Sequence, residues 1–154
     1  MQKYFYMMVG IPGSGKSTYI KNELNSNNFS IVSSDDYIQK KADVEGITYN
    51  EAFPKYVKEA SKNLDVSLYD AVAASKDIIW DQTNLFSSKR IEKLKKLPSY
   101  YKKIAVVFPI PEDLEKRLNS RPGKNIPDKI LKSMINNFED PTLSEGFDEI
   151  RKVS

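Results

Sequence analysis

The sequence predicts an α/β fold, a parallel sheet of about five strands with helices on both faces. Three observations lead there. Short apolar runs alternate along the chain with segments of helical spacing. A glycine-rich loop, GIPGSGKST from Gly10 to Thr18, sits between the first apolar run and the first helical segment. Asp, Asn and Thr residues follow the apolar runs directly, at the edge where parallel sheets bind their ligands.

The elements follow in order. Lys3–Val9 is the first strand, and Thr18 to Leu24 begins a helix. Phe29–Val32 is a short strand that ends in Ser33-Ser34-Asp35-Asp36, where Ser or Asp would cap a helix. The polar stretch Lys40 to Thr48 contains Gly46 and reads as a loop. From Tyr49 to Ser75 the apolar residues Ala52, Phe53, Tyr56, Val57, Ala60, Leu64, Leu68, Ala71 and Val72 recur at helical spacing. Pro54 falls near the start of that helix, where it is tolerated. Asp77–Trp80 is a strand, Ser87–Leu97 a short amphipathic helix stopped by Pro98, and Lys103–Phe108 another strand. Glu112–Ser120 is a helix stopped by Pro122-Gly123, and Pro127–Phe138 a helix with proline at its start. Phe147–Val153 closes the sheet.

Composition narrows the chemistry. A length of 154 residues fits one domain, residues 1–154, large enough for a real core. No Cys is present, which excludes disulfides, thiolate nucleophiles and cysteine zinc sites; no His excludes imidazole bases and histidine-bound metals. Acid–base work therefore falls to Asp, Glu, Lys or Tyr. Any metal is a hard cation held by oxygens, and magnesium accompanying a nucleotide fits. No apolar run approaches the roughly 20 residues of a membrane span, and the start lacks a secretory pattern, so no membrane association and a cytoplasmic location are expected. The net charge of +3 permits a nucleic-acid partner without arguing for one.

Gly10, Gly15, Lys16 and Ser17 fit the pattern G-x-x-x-x-G-K-[ST], with Gly13 a third glycine. Such a loop, Gly10-Ile11-Pro12-Gly13-Ser14-Gly15, turns backbone N–H groups around a phosphate. Lys16 reaches the β and γ phosphates, Ser17 ligates magnesium, and the helix starting at Thr18 lends its positive end. This pattern in this setting says ATP or GTP binding.

The other candidates follow the later strands. Asp35 is either a general base, accepting a proton from an acceptor hydroxyl, or a capping or first-turn acid of a helix. Asp81 closes an apolar strand as a magnesium-side carboxylate does, or else serves its own turn. Arg117 and Arg121 lie one helical turn apart and can clamp phosphates, although Asp113, four residues before Arg117, can equally pair with it. Pro122-Gly123-Lys124 beside them suggests a lid. The basic stretch Lys89 to Lys103, with Tyr100 and Tyr101, reads better as a solvated helix face than as a nucleic-acid surface.

Taken together, GIPGSGKST, SSDDY at Ser33–Tyr37, WDQTNL at Trp80–Leu85, KRLNSRPGK at Lys116–Lys124, IPDKILKSM at Ile126–Met134 and FEDPTLSEGFDEI at Phe138–Ile150 resemble the kinase domain of 5′-hydroxyl polynucleotide kinases of phage and eukaryotic type. They also resemble the wider group of small P-loop kinases that includes zeta-type toxins. The resemblance implies a P-loop kinase fold with a small lid. It implies that Lys16 and Ser17 hold ATP phosphates and Mg2+, that Asp35 is the general base, and that Arg117 and Arg121 are lid arginines on the ATP phosphates. Asp81, Thr83 and Asn84 match a turn close to the acceptor and the metal. One departure stands out. The arginine that the family usually carries three positions after the base, on the acceptor-side phosphate, is Ile38 here; Lys40 or Lys41 could substitute. The expectation is ATP- and Mg-dependent transfer of a phosphoryl group to a hydroxyl, foremost the 5′-hydroxyl of a DNA or RNA end. A small-molecule kinase of the same fold and an ATPase module without acceptor are the alternatives.

Overall fold

A computed structural model describes residues 1–24, 29–119 and 126–154. Among them, five strands form one parallel sheet in the order β2-β3-β1-β4-β5. These are β1 (Lys3–Val9), β2 (Phe29–Val32), β3 (Asp77–Asp81), β4 (Tyr101–Val107) and β5 (Glu149–Lys152). The helices between them are α1 (Lys16–Glu23), α2 (Ser34–Glu45), α3 (Tyr49–Ala73), α4 (Ser87–Leu94), α5 (Leu114–Asn119) and α6 (Asp128–Asn136).

Alternation along each strand sends side chains to opposite faces, and both faces are covered. Phe5, Met7 and Val9 of β1 join Ile78 and Trp80 of β3 and Ala105 and Val107 of β4 on one face, under Leu64, Leu68 and Ala71 of α3 and Leu94 of α4. Met8, Ile79, Ile104 and Val106 form the other face, against Tyr19, Ile20 and Leu24 at α1. Burying a side chain such as Trp80 or Phe5 stabilises the fold by about 1.5–3 kcal/mol each, and both are essentially inaccessible.

This wiring positions the site. The chain leaves β1 over one face through α1 and leaves β3, its neighbour, over the other face through α4. The two departures open a crevice at the C-terminal ends of β1 and β3, as at any such switch point. Met8 and Asp81 are partners in register there.

Two expectations need correction. Lys40 to Glu45 is helical, because Ile38 and Ala42, one turn apart, form a buried stripe that packs α2 against Ala52 and Ala60 of α3. The helix ends at Gly46, φ 69°, with Ile47 N–H on Ala42 O at 3.0 Å. Pro54 stands deeper than the first turn, at the sixth position of α3, whose start is fixed by a capping box between Thr48 and Glu51. Elsewhere the elements differ from expectation by a few residues. β4 starts earlier, at Tyr101, because that ring is buried and its hydroxyl donates to Lys76 O at 2.6 Å.

A buried ion pair braces the crevice from behind. Arg90 of α4 is fully buried; its Nε and Nη2 donate to the two carboxylate oxygens of Glu145 at 2.7 and 3.0 Å, and its Nη1 donates to Asn84 O at 2.8 Å. Burial pulls the Glu145 carboxyl upward, but the Arg90 hydrogen bonds, the Thr142 N–H and the Arg90 charge outweigh it and hold the group below its ordinary value.

Candidate functional site: a phosphate loop facing two carboxylates

The loop between β1 and α1 is built around its glycines. A Cβ on Gly10 would lie 2.6 Å from Ser14 Oγ and 3.0 Å from Phe108 Cβ, so even a methyl there makes the loop shift. Gly15 caps α1 at φ 103°, a conformation that other residues rarely adopt. Gly10 N–H donates to Thr83 O at 3.0 Å, which ties the loop to the turn after β3. Lys16 curls back over the loop and donates from Nζ to Gly10 O at 2.7 Å and Ile11 O at 3.1 Å. Ser14 Oγ is buried without a hydrogen-bond partner among the described residues.

The loop forms one wall of a cleft of about 740 Å³. Gly13, Ser14, Gly15, Lys16, Ser17 and Thr18 line it, with Asp35, Asp81, Thr83 and Arg117 around them. Most of the candidates read from the sequence therefore line one cleft, although they come from the loop, α1, α2, the end of β3 and α5; Gly10 and Asn84 do not line it.

Each is held locally. Ser33 caps α2 by accepting from Asp36 N–H at 3.2 Å, which leaves Asp35 as a first-turn acid rather than the cap. Tyr49, the first residue of α3, donates its hydroxyl to Asp35 Oδ1 at 2.5 Å. Sequence reasoning passed over Tyr49, since its role depends on how α2 and α3 pack. Arg117 pairs through Nε with Asp113 Oδ1 at 2.9 Å, as its spacing from Asp113 allows, and donates from Nη1 to Gly13 O at 3.3 Å, which sets it beside the loop. Arg121 and the expected lid Pro122-Gly123-Lys124 lie outside the described residues.

Asn84 differs from Asp81 and Thr83. It is buried, adopts φ 50°, and donates from Nδ2 to Met8 O at 2.7 Å, so it pins the turn to β1. It lies outside the large cleft and instead lines an adjoining pocket of about 280 Å³, which shares Asp35, Asp81, Gln82 and Thr83 with that cleft and adds Phe86, Lys89 and Lys93. Lys93 departs from the expected solvated face. Its Nζ donates to Asn84 Oδ1 at 2.5 Å and to Gln82 Oε1 at 3.0 Å, and stands 5.2 Å from the centre of the Trp80 ring. Burial, with the charges of Lys96, Lys89 and Arg90, pushes its pKa down to about 8 against the opposing pull of Glu92.

No group of three metal-ligating side chains occurs among the described residues. Ser17 and Asp81 are hard oxygen donors in the phosphate cleft. That set fits a magnesium ion that arrives with nucleotide phosphates, since magnesium is usually held by one or two protein oxygens plus phosphate and water. The partnerless Ser14 hydroxyl within the loop fits an anionic guest in the same way. No helix among the described residues is long and apolar enough to cross a membrane.

Known proteins resemble the chain in sequence and in fold. The chain is 29% identical over 94% of its length to human heterogeneous nuclear ribonucleoprotein U-like protein 2. It is 24% identical over 92% of its length to L-seryl-tRNA(Sec) kinase of Methanococcus maripaludis. It spans only 20% and 55% of those two relatives. Among solved structures, a chain of the Pnkp1/Rnl/Hen1 RNA repair complex superposes with a TM-score of 0.69 at 24% identity, covering 88% of this chain and 44% of the other. A Chloroflexus aurantiacus protein superposes at 0.74 and 17% identity, over 99% and 88%. Residues 5–141 match the AAA_33 family, described as an AAA domain. The chain thus belongs to that family and has the fold of the small P-loop kinases.

Proposed function

We propose that the protein transfers the γ-phosphate of ATP, with Mg2+, to a hydroxyl, and that the favoured acceptor is the 5′-hydroxyl of a nucleic-acid end. One observation carries the phosphotransferase reading: Asp35 lines the same cleft as Lys16 and Ser17. Transfer to an alcohol is helped by a carboxylate within reach of the hydroxyl proton, and Asp35 is so placed relative to the loop. The nucleic-acid acceptor draws support from the resemblance to polynucleotide kinases and from two matches whose names concern RNA, a tRNA kinase and an RNA repair complex.

In this mechanism the phosphate loop and Lys16 grip the triphosphate. Ser17 and Asp81 would hold a magnesium ion, which would supply charge neutralisation at the phosphates. Asp35 accepts the hydroxyl proton and aims the oxygen at phosphorus, while Tyr49 fixes the carboxylate's orientation. Arg117 stands beside Gly13 and neutralises charge at the phosphates. Nothing here demands covalent catalysis, since phosphoryl transfer is mainly positioning and electrostatics.

A small-molecule acceptor is the second reading, and one observation favours it. Ile38, in the place of the family's acceptor-phosphate arginine, is buried between α2 and α3. Incubation with γ-labelled ATP and magnesium, offering 5′-hydroxyl DNA, 5′-hydroxyl RNA, nucleosides and sugars side by side, tests both. Label on an oligonucleotide end supports the first. Label only on nucleosides or sugars supports the second. ATP hydrolysis with no labelled acceptor overturns both.

A further inference from the structure

We propose that Lys93, with Lys89 one turn earlier on α4, binds a phosphate that the acceptor carries beside its reacting hydroxyl. The inference rests on the kinase reading and deepens it. The adjoining pocket shares Asp35 with the nucleotide cleft, so it has room for the rest of a molecule whose hydroxyl is presented to that carboxylate. That pocket adds two cations of α4 to the carboxylates it shares: Lys93, and Lys89, which also stands 3.8 Å from Glu92.

Lys93 is suited to the task. Its ammonium is aimed by two neutral oxygens, Asn84 Oδ1 and Gln82 Oε1, and by the Trp80 ring. Among the described residues no carboxylate forms an ion pair with it. Holding a cation in a partly desolvated position without an opposing carboxylate is costly, and such positions mark binding sites. The cations expected to replace the missing arginine do not serve, because neither Lys40 nor Lys41 lines either cavity. Phe86, half exposed at the same pocket, offers a ring face on which a nucleobase can stack. Hydroxyl, phosphate and base together describe a nucleoside 3′-phosphate, whether free or as the first unit of a nucleic-acid end.

The test compares adenosine, adenosine 3′-monophosphate and a 5′-hydroxyl dinucleotide as acceptors of label from γ-labelled ATP. The wild-type protein is expected to favour the two phosphate-bearing acceptors by about tenfold or more in kcat/KM, mostly through KM, the worth of one charge-assisted contact. Lys93→Met is expected to remove most of that preference and Lys93→Arg to keep much of it. Lys96→Met, which deletes a cation paired with Asp65 outside the pocket, keeps it in full. Binding of adenosine 3′-monophosphate alongside a non-hydrolysable ATP analogue should weaken in Lys93→Met by about the same factor. Equal use of adenosine and its 3′-phosphate by the wild type, or an unchanged preference in Lys93→Met, overturns the assignment while leaving the kinase reading intact. Loss of preference for the mononucleotide alone, with the dinucleotide unaffected, overturns it for nucleic-acid ends. ATP bound with none of the three labelled, nor any other hydroxyl acceptor, overturns the kinase reading itself.

Discussion

Tyr49 donates its hydroxyl to Asp35 Oδ1 at 2.5 Å, joining the first residue of α3 to the first turn of α2. The carboxylate proposed to take the acceptor's proton is therefore oriented by a side chain from another helix. Tyr49→Phe is expected to leave ATP binding unchanged and to lower kcat by about fivefold, the rate equivalent of one neutral hydrogen bond of about 1 kcal/mol. Steady-state transfer with saturating ATP reads this directly, and a wild-type kcat would show that the contact is dispensable.

Removing Arg90 should cost the fold more than any surface charge does. Its bidentate pair with Glu145 is buried, and its third donor holds Asn84 O. Arg90→Met leaves the buried Glu145 carboxylate without its cation, with the Thr142 N–H and Ser87 still bonded to it, and the expected loss is about 3 kcal/mol in urea unfolding. Arg90→Met combined with Glu145→Leu should recover a large part of it. A single variant as stable as wild type contradicts the ledger of that pair.

Gly10→Ala should damage nucleotide binding before stability. The added methyl meets Ser14 Oγ and Phe108 Cβ, so the loop must shift while the sheet below stays packed. At a nucleotide concentration of about 100 times Kd the wild type gains about 2.7 kcal/mol of stability. In the variant that gain, measured as a shift of Tm with Mg-ATP, should shrink to near zero while the ligand-free Tm moves little.

Lys93 gives the fold a pH dependence of known sign. Its folded pKa, about 8, lies below the value of 10.5 for an exposed lysine. Between these values the unfolded chain binds the extra proton, so the Lys93 contribution to stability rises with pH across that window and is least favourable below it. Wild type minus Lys93→Met, followed by denaturant unfolding from pH 7 to 10.5, should show that rise. A flat difference would mean that the Asn84 and Gln82 oxygens hold the ammonium at its ordinary pKa.

The sheet, its order of elements and the phosphate loop were legible because their signals are local. Apolar runs mark strands, and GIPGSGKST needs only its own backbone to form an anion cradle. Asp35, Asp81 and Arg117 were also legible as candidates, because parallel strands deliver whatever follows them to one edge. The rest depends on packing between distant segments. Lys40 to Glu45 looked like loop because its outward residues are polar, and only contact with α3 shows that Ala42 faces inward. Tyr49 and Lys93 gain their meaning from residues 14 positions away or on a neighbouring turn, at Asp35, Gln82 and Asn84. Arg90 was read as one cation of a solvated stretch, yet it is the most buried of them, for a partner 55 residues on.

The most direct measurement is phosphoryl transfer by Asp35→Asn, with ATP affinity measured on the same preparation. Asparagine keeps the shape but accepts no proton. Transfer to the best acceptor should fall by about 10²–10⁴-fold, the usual worth of a general base, with the Kd for Mg-ATP within about twofold of wild type. Transfer at the wild-type rate would remove Asp35 from the chemistry and contradict the general-base account of this cleft.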